Sequence, residues 1–506
     1  MNKQRARVWT CAMVAAMVMA LNGYDSSTFN SVQGFKTFVD EFKASPEATK
    51  IEANMLGAVS TAYTCGGIVS GMLITPTLSK RFGRKPCMQL GCLIVIAFTF
   101  LQVFAKNMPS FIAGRLLMGI GQGIALPNGP TYISEIAPAA VRGKILSFWQ
   151  VWYTIGAFIV YWTAYGCKTT KIDMGLWQWR TPILLQVFLP ACVVGGLFFC
   201  PESPRWLVEK GRIDEARHCL ELTRDPDEVE IELESIIAAV DYERAEIDFN
   251  QSWYAPYITL FKDPSLRRRM FVALYINAGQ QLSGNTTLSS YTTLIYQKVF
   301  NNSDTSFLIN ALSASFAIPF TLNATWLVDR IGRKPILLIG GTGQALSLLI
   351  IAIIGIATPT LDDNGTRPYA VGIAIALMMF VFILFYKPSW GATVWIYTAD
   401  IFSTSVRVHA IGINSQVQNV VSTILNQFFP TFMNNCGFYT FFFFFGTNAV
   451  LTIGVWFILP ETKGVALEDI DELFGGVSHR KGGEELHDRE IGKPHSEHHE
   501  DRKEAI

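Results

Sequence analysis

The 506-residue sequence is poor in charge. Only 16% of its residues are Asp, Glu, Lys or Arg and 50% are hydrophobic, whereas a soluble domain carries about 25% charge. That deficit excludes an ordinary soluble chain. Net charge is zero, so the charge balance carries no argument for a nucleic-acid partner. The nine cysteines show no metal-ligand spacing, and most fall in apolar runs, where a thiol serves as a small packing residue. No nucleophile–base set and no phosphate-binding loop appears in a polar segment. The window "GIGQGI" at 119–124 lacks the preceding strand that a nucleotide loop needs. These gaps argue against an enzyme, a cofactor and a metal centre.

Long apolar runs fill the chain instead. About 20 apolar residues cross a bilayer as a helix, and twelve such stretches stand at 8–30, 54–75, 87–106, 110–133, 144–166, 181–200, 270–297, 306–328, 335–357, 369–399, 406–430 and 436–459. Most are interrupted by Gly, Asn, Gln, Ser or Thr, as expected of helices that line a wet path rather than face only lipid. The first run is too long for a cleavable signal and reads as a retained span.

Lys80, Arg81, Arg84 and Lys85 follow the second run, Arg142 and Lys144 the fourth, Arg330, Arg333 and Lys334 the eighth, and Arg407 the tenth. By the positive-inside rule these loops and both termini are cytoplasmic, and the expected location is the plasma membrane. The sequons at Asn301 and Asn364 then lie outside and are candidate glycosylation sites, whereas those at Asn285 and Asn323 fall within spans. Cys167 and Cys436 share outside loops and would pair only if the fold brings them together.

The one long polar stretch between runs is 201–269, whose apolar residues recur at helical spacing. It separates an expected six-helix bundle at 1–200 from a second at 270–459, with a largely disordered cytoplasmic tail at 460–506. The halves repeat. "KRFGRKP" at 80–86 returns as "DRIGRKP" at 329–335, and "YISEIAPAAVRG" at 132–143 returns as "YTADIFSTSVRV" at 397–408. Duplicated helical halves around a midplane site are a transporter architecture.

These motifs, with "PESPRWLVEKGR" at 201–212, "GQQLSG" at 279–284 and "PETKG" at 460–464, resemble the sugar porters of the major facilitator superfamily over nearly the whole chain. "QQLSGN" and the Asp of "GYDSS" are most similar to fungal hexose, lactose and cellodextrin permeases. The resemblance implies an all-α membrane protein of twelve transmembrane helices in two pseudo-symmetric bundles. It implies proton-coupled import of a hexose or disaccharide by alternating access, working as a monomer in membrane lipid. A passive facilitator, a polyol or quinate carrier and a non-transporting sugar sensor stay open as alternatives. It carries substrate contact onto Gln150, Gln280, Gln281 and Trp395, with Asn285, Thr286, Gln418 and Asn419 at places where this chain departs from the animal glucose carriers. It carries a cytoplasmic gate onto Arg84, Glu135, Arg142, Glu202, Arg205, Arg333, Asp400 and Arg407. The tenth span reads "GATVW" where the family has two prolines, which predicts a straighter helix.

Asp25 is a lone carboxylate in the first run, which costs roughly 2.5–3.5 kcal/mol on insertion scales. Aligning Gly23 with Gly284 sets Asp25 opposite Thr286, so the charge belongs to one half only. The resemblance pairs Asp25 with Arg115 and gives both to proton coupling.

Overall fold

In the computed structural model, residues 3–43, 47, 50–138, 145, 148–250, 255–300, 303–358, 368–402, 404–463 and 474 are described, and all their regular elements are helical. Arg142, Asn301, Asn364, most of the tail and the side chain of Arg407 lie outside the described residues.

Each of the twelve predicted runs is met by helix. Span 1 is Lys3–Val32 and span 2 is Ala53–Val69 with a π turn, Ser70–Ile74, and Thr75–Phe82. Spans 3, 4 and 5 are Arg84–Val103, Met108–Ile136 and Trp149–Thr169, and span 6 is Trp177–Leu185 followed by Phe188–Phe198. Span 7 is Pro264–Leu282, continued by Asn285–Ser290 and Thr292–Gln297. Spans 8 and 9 are Ser303–Ile331 and Arg333–Ala357. Span 10 is Tyr369–Tyr386, a π turn Lys387–Gly391, and Thr393–Asp400; spans 11 and 12 are Thr404–Cys436 and Thr440–Ile458. Composition alone marks most of these as membrane-crossing, but Met108–Ile136, Trp149–Thr169 and Pro264–Gln297 fall short. Those three carry Arg115, Gln150 and the Gln280–Gln281 pair, and a helix that buries polar groups against its neighbours can be less apolar than one facing lipid.

Two breaks differ from the sequence reading. The tenth span is not straightened by the loss of its family prolines, because the wide turn at Lys387–Gly391, with Pro388 in it, divides the helix instead. In span 7, Gly284 adopts φ +90, a left-handed conformation that glycine reaches without penalty. Asn285 therefore begins a new helix rather than continuing the one that carries Gln280 and Gln281. The matching stretch around Gly23 stays within one unbroken helix.

Spans 1 and 5 approach closely enough that a Cβ on Gly23 would overlap the Tyr153 carbonyl and one on Gly156 would overlap the Ala20 carbonyl. The polar segment 201–269 supplies helices Pro204–Glu209, Ile213–Thr223 and Val229–Asn250, packed on one another through Trp206, Leu207, Leu220 and Leu233. Arg224 ties them to the base of span 4, donating at 2.8 Å to the Ile136 carbonyl and at 2.7 Å to Glu232. Cys167 and Cys436 are both free thiols, one buried and one exposed.

Candidate functional site

The two copies of the Gly-Arg-Lys-Pro turn build the same device at the end of the molecule where span 1 begins and span 12 finishes. Gly83 (φ +101) and Gly332 (φ +105) open spans 3 and 9, and the first N–H groups of a helix have no partner within it. Glu202 accepts from the amides of Arg84 and Lys85 at 3.2 Å each and from Ser203 at 2.8 Å. Glu461 accepts from Arg333 at 3.0 Å and Lys334 at 2.9 Å. A carboxylate at a helix N-terminus also meets the positive end of the dipole. Burial pushes the Glu202 carboxyl above its ordinary range, although these backbone bonds hold it back. Above each cap, Tyr132 donates to the Pro201 carbonyl at 2.7 Å and Tyr397 to that of Pro460 at 3.1 Å.

The arginines of these turns take the span-end acids. Arg84 reaches Glu135 at 2.9 Å and Glu209 at 3.7 Å, and Arg333 reaches Asp400 at 3.3 Å. The Arg84–Glu135 and Arg333–Asp400 pairs each lie within one half, and Glu209 comes from the polar segment between the halves. Arg205 sits in the short helix Pro204–Glu209. Glu461 and Glu209 were missed from sequence; for Glu461 the signal was the Pro-Glu pair that follows the sixth span of each half, and Glu209 has no such signal.

Removing either cap leaves half-buried helix-start amides without their acceptor. Glu202→Ala and Glu461→Ala are each expected to cost about 1–3 kcal/mol, read as a lower thermal unfolding midpoint of the detergent-purified protein.

At the opposite end the halves are closed against each other. Buried Asn30 donates to Thr292 at 2.7 Å and accepts from the Thr293 amide at 3.1 Å. Gln33 donates to the Ser290 carbonyl and Gln297 to that of Gly34, both at 2.9 Å. Tyr291, wholly buried, points its hydroxyl at the Asn426 carbonyl at 3.0 Å and at Ser60 at 3.2 Å, and stacks on Phe429. Phe29, Phe35, Phe307 and Phe429 close one apolar cluster around it. A 410 Å³ pocket lined by Gln33, Lys50, Leu294, Gln297 and Lys298 lies beyond this plug.

Between the plug and the paired turns sit the midplane residues. Asp25 is fully buried, and neither carboxylate oxygen has a hydrogen-bond partner among the described residues. Arg115 is also buried and does approach it, but its Nη1 donates to the Asp25 backbone carbonyl at 3.1 Å. The guanidinium is sandwiched by Tyr63 at 5.0 Å and Phe29 at 5.7 Å, and the Tyr63 hydroxyl reaches Asn22 at 3.2 Å. Next along span 1, Ser26 and the Tyr153 hydroxyl are 2.9 Å apart.

The amides divide into two groups. Gln280 is buried and donates to the carbonyls of Trp390 at 2.7 Å and Gly391 at 3.2 Å, bracing the wide turn of span 10, while its own oxygen has no partner among the described residues. Gln418 donates to Asn277, which donates on to Thr398 at 2.8 Å. Gln281 accepts from Thr286 at 2.7 Å. Gln150, Asn285 and Asn419 are half-buried. Trp395 is 39% exposed, whereas Trp390 is fully buried and donates to the Leu337 carbonyl at 3.1 Å. Asn277, Tyr153 and Tyr386, which lies beside Asn285 and Gln280, were not singled out from sequence.

Comparison with known proteins places this arrangement. The family described as "Sugar (and other) transporter" matches residues 11–474. Two relatives are a quinate permease of Neurospora africana, 29% identical over 92% of this chain and 89% of its own, and a high-affinity glucose transporter of Kluyveromyces lactis, 28% identical over 92% and 85%. The inward-open xylose transporter XylE of Escherichia coli superposes with a TM-score of 0.75 at 22% identity, over 92% of this chain and 99% of that one. The chain belongs to the sugar (and other) transporter family of the major facilitator superfamily, as a multi-pass membrane transporter rather than an enzyme.

Proposed function

We propose that this transporter imports a polyhydroxylated small molecule, a sugar or a close relative of one, by proton symport and alternating access. The observation that carries the reading is the state of Asp25. A buried carboxylate with no hydrogen bond bears its full desolvation cost, and here Arg115 faces its backbone rather than its oxygens. Asp25 is suited to carry a proton into this conformation and to give it up to the cytoplasm as its surroundings change, before the halves rock back. Linking proton and substrate to one two-state motion couples their binding. Arg115 is the partner that keeps the charged form available in the other state.

The substrate sits between Gln150 of the first half and Gln281, Asn285, Gln418 and Asn419 of the second, where amides offer hydroxyls both donors and acceptors. Gln280 and Thr286 hold that wall in place, and Trp395 presents its ring from span 10. The names of the two relatives favour a polyhydroxylated substrate and keep a quinate-like acid beside the sugars. The repeated basic turns put both termini and the paired-turn end in the cytoplasm. The plug around Tyr291 then lies outside, so this is an inward-facing state in which 1–200 and 270–459 move as two bodies. The plasma membrane and a functional monomer complete the assignment.

Growth of a transporter-null yeast on hexoses, disaccharides, polyols and quinate, with labelled uptake and external pH recorded together, tests the whole reading. Rescue by at least one compound, with alkalinisation of the medium as it enters, is the expected result. No rescue by any compound from a protein that reaches the surface would overturn it and favour a sensor.

The outer plug gives a conformational prediction. Tyr291→Phe removes its hydroxyl at a cost of about 1 kcal/mol to the outward-closed state. A cysteine introduced at the buried Ser422, one turn inward of Asn426 on span 11, should then react several-fold faster with an impermeant maleimide than in the parent protein.

A further inference from the structure

The second half carries an intramembrane charge of its own that the proton mechanism does not use. Lys387 opens the wide turn of span 10, eighteen residues from Tyr369 and thirteen from Asp400. At 1.5 Å per residue those ends are ~27 and ~20 Å away along the helix, farther than a lysine stem can snorkel. Its ammonium faces the other half, with Nζ 5.7 Å from the centre of the Tyr153 ring. Among the described residues no carboxylate forms an ion pair with it, whereas the arginines at the cytoplasmic end are matched with acids. A ring face is a weak partner for a cation that remains half-buried.

The place is the substrate site. Tyr153 lies three residues beyond Gln150 on span 5, one turn on the same face, and its hydroxyl meets Ser26 beside Asp25. Tyr386, adjacent to Lys387, lies against Asn285 and Gln280. The offset of 265 residues between Tyr132 and Tyr397 puts Gln122 at the corresponding point of the first half. That amide is buried and directed at the Val18 carbonyl. The lysine therefore answers no demand of the shared fold.

We propose that Lys387 is the anchor for a carboxylate on the substrate, so that the preferred cargo is a polyhydroxylated monocarboxylic acid rather than a neutral sugar. This rests on the polyol site described under Proposed function and names its chemical class. The ammonium takes the carboxylate of a bound anion across the gap between the halves, the nearby amides take its hydroxyls, and a proton held on Asp25 enters with it.

The test uses the detergent-purified full chain, with binding followed by quenching of tryptophan fluorescence and by thermal shift. The ligands are quinate, its neutral amide and glucose. The parent protein should bind quinate roughly tenfold or more tightly than the amide, the worth of one hydrogen bond between charged groups. Lys387→Gln should erase that preference, while Lys387→Arg should keep most of it. Exchanging a half-buried charge that has no ion-pair partner among the described residues for the amide found in the first half leaves the folded state no worse satisfied, and the unfolding midpoint without ligand verifies this. Equal affinity for quinate and its amide in the parent, or an undiminished preference in Lys387→Gln, overturns the proposal. Tight binding of glucose with no binding of quinate overturns it while leaving the polyol site intact. Binding of none of the three, nor of any sugar tried, overturns both.

Discussion

Asp25→Asn abolishes substrate accumulation and substrate-driven alkalinisation while leaving exchange of labelled for unlabelled substrate across the membrane. The substitution keeps the shape of the side chain and removes its ability to lose a proton. Because the parent carboxyl oxygens make no hydrogen bond among the described residues, the amide breaks none that the carboxyl made there. The backbone carbonyl of residue 25 still receives Arg115. Uncoupling is therefore expected without misfolding, and the loss is complete rather than graded, since a carrier that moves no proton stops at equal concentrations. Uptake against a concentration gradient by the Asp25→Asn protein would remove Asp25 from the mechanism.

The second large effect is structural. Gly156→Leu prevents assembly of the first half. Gly156 sits where span 5 crosses span 1, and a Cβ there would overlap the Ala20 carbonyl and lie 2.8 Å from the Tyr24 amide. Backbone atoms of a packed helix cannot give way as a flexible side chain can. Close helix approach at small residues is how membrane helices gain contact where no hydrophobic force drives them together. Overpacking a well-filled interface costs typically about 1–3 kcal/mol, and the collision here is with backbone. The same crossing sets Ser26 against Tyr153 and positions Asp25. The expected result is loss of the monodisperse size-exclusion peak of a fluorescent fusion, whereas Gly166→Leu, which meets open space, retains it.

Much of the fold was legible because the bilayer forces a simple code. A run of apolar residues must be helix, and helix meets each of the twelve runs. The internal repeat also forecast that the ends of spans 4 and 10 would match, as Arg84–Glu135 and Arg333–Asp400 do. What sequence could not supply was the partner of each acid. The partners seen among the described residues, Arg84 and Arg333, stand far from these acids in sequence, in the first turn of the neighbouring helix. Breaks within spans were also hidden. The run at 270–297 read as one span although Gly284 divides it, and missing prolines suggested a straighter span 10 that Lys387–Gly391 interrupts. Lys387 itself was visible by the rule that marked Asp25, a lone charge within an apolar run. Its meaning depends on Tyr153 across the interface, which no spacing along the chain reveals.

Purified protein in liposomes tests proton coupling most directly. With labelled substrate at equal concentration on both sides, an inward proton gradient is imposed and internal label is followed. The account predicts uptake to several times the external level, collapse on addition of a protonophore, and no rise with Asp25→Asn. Internal label that never exceeds the external level in the parent protein would contradict it and leave a passive carrier.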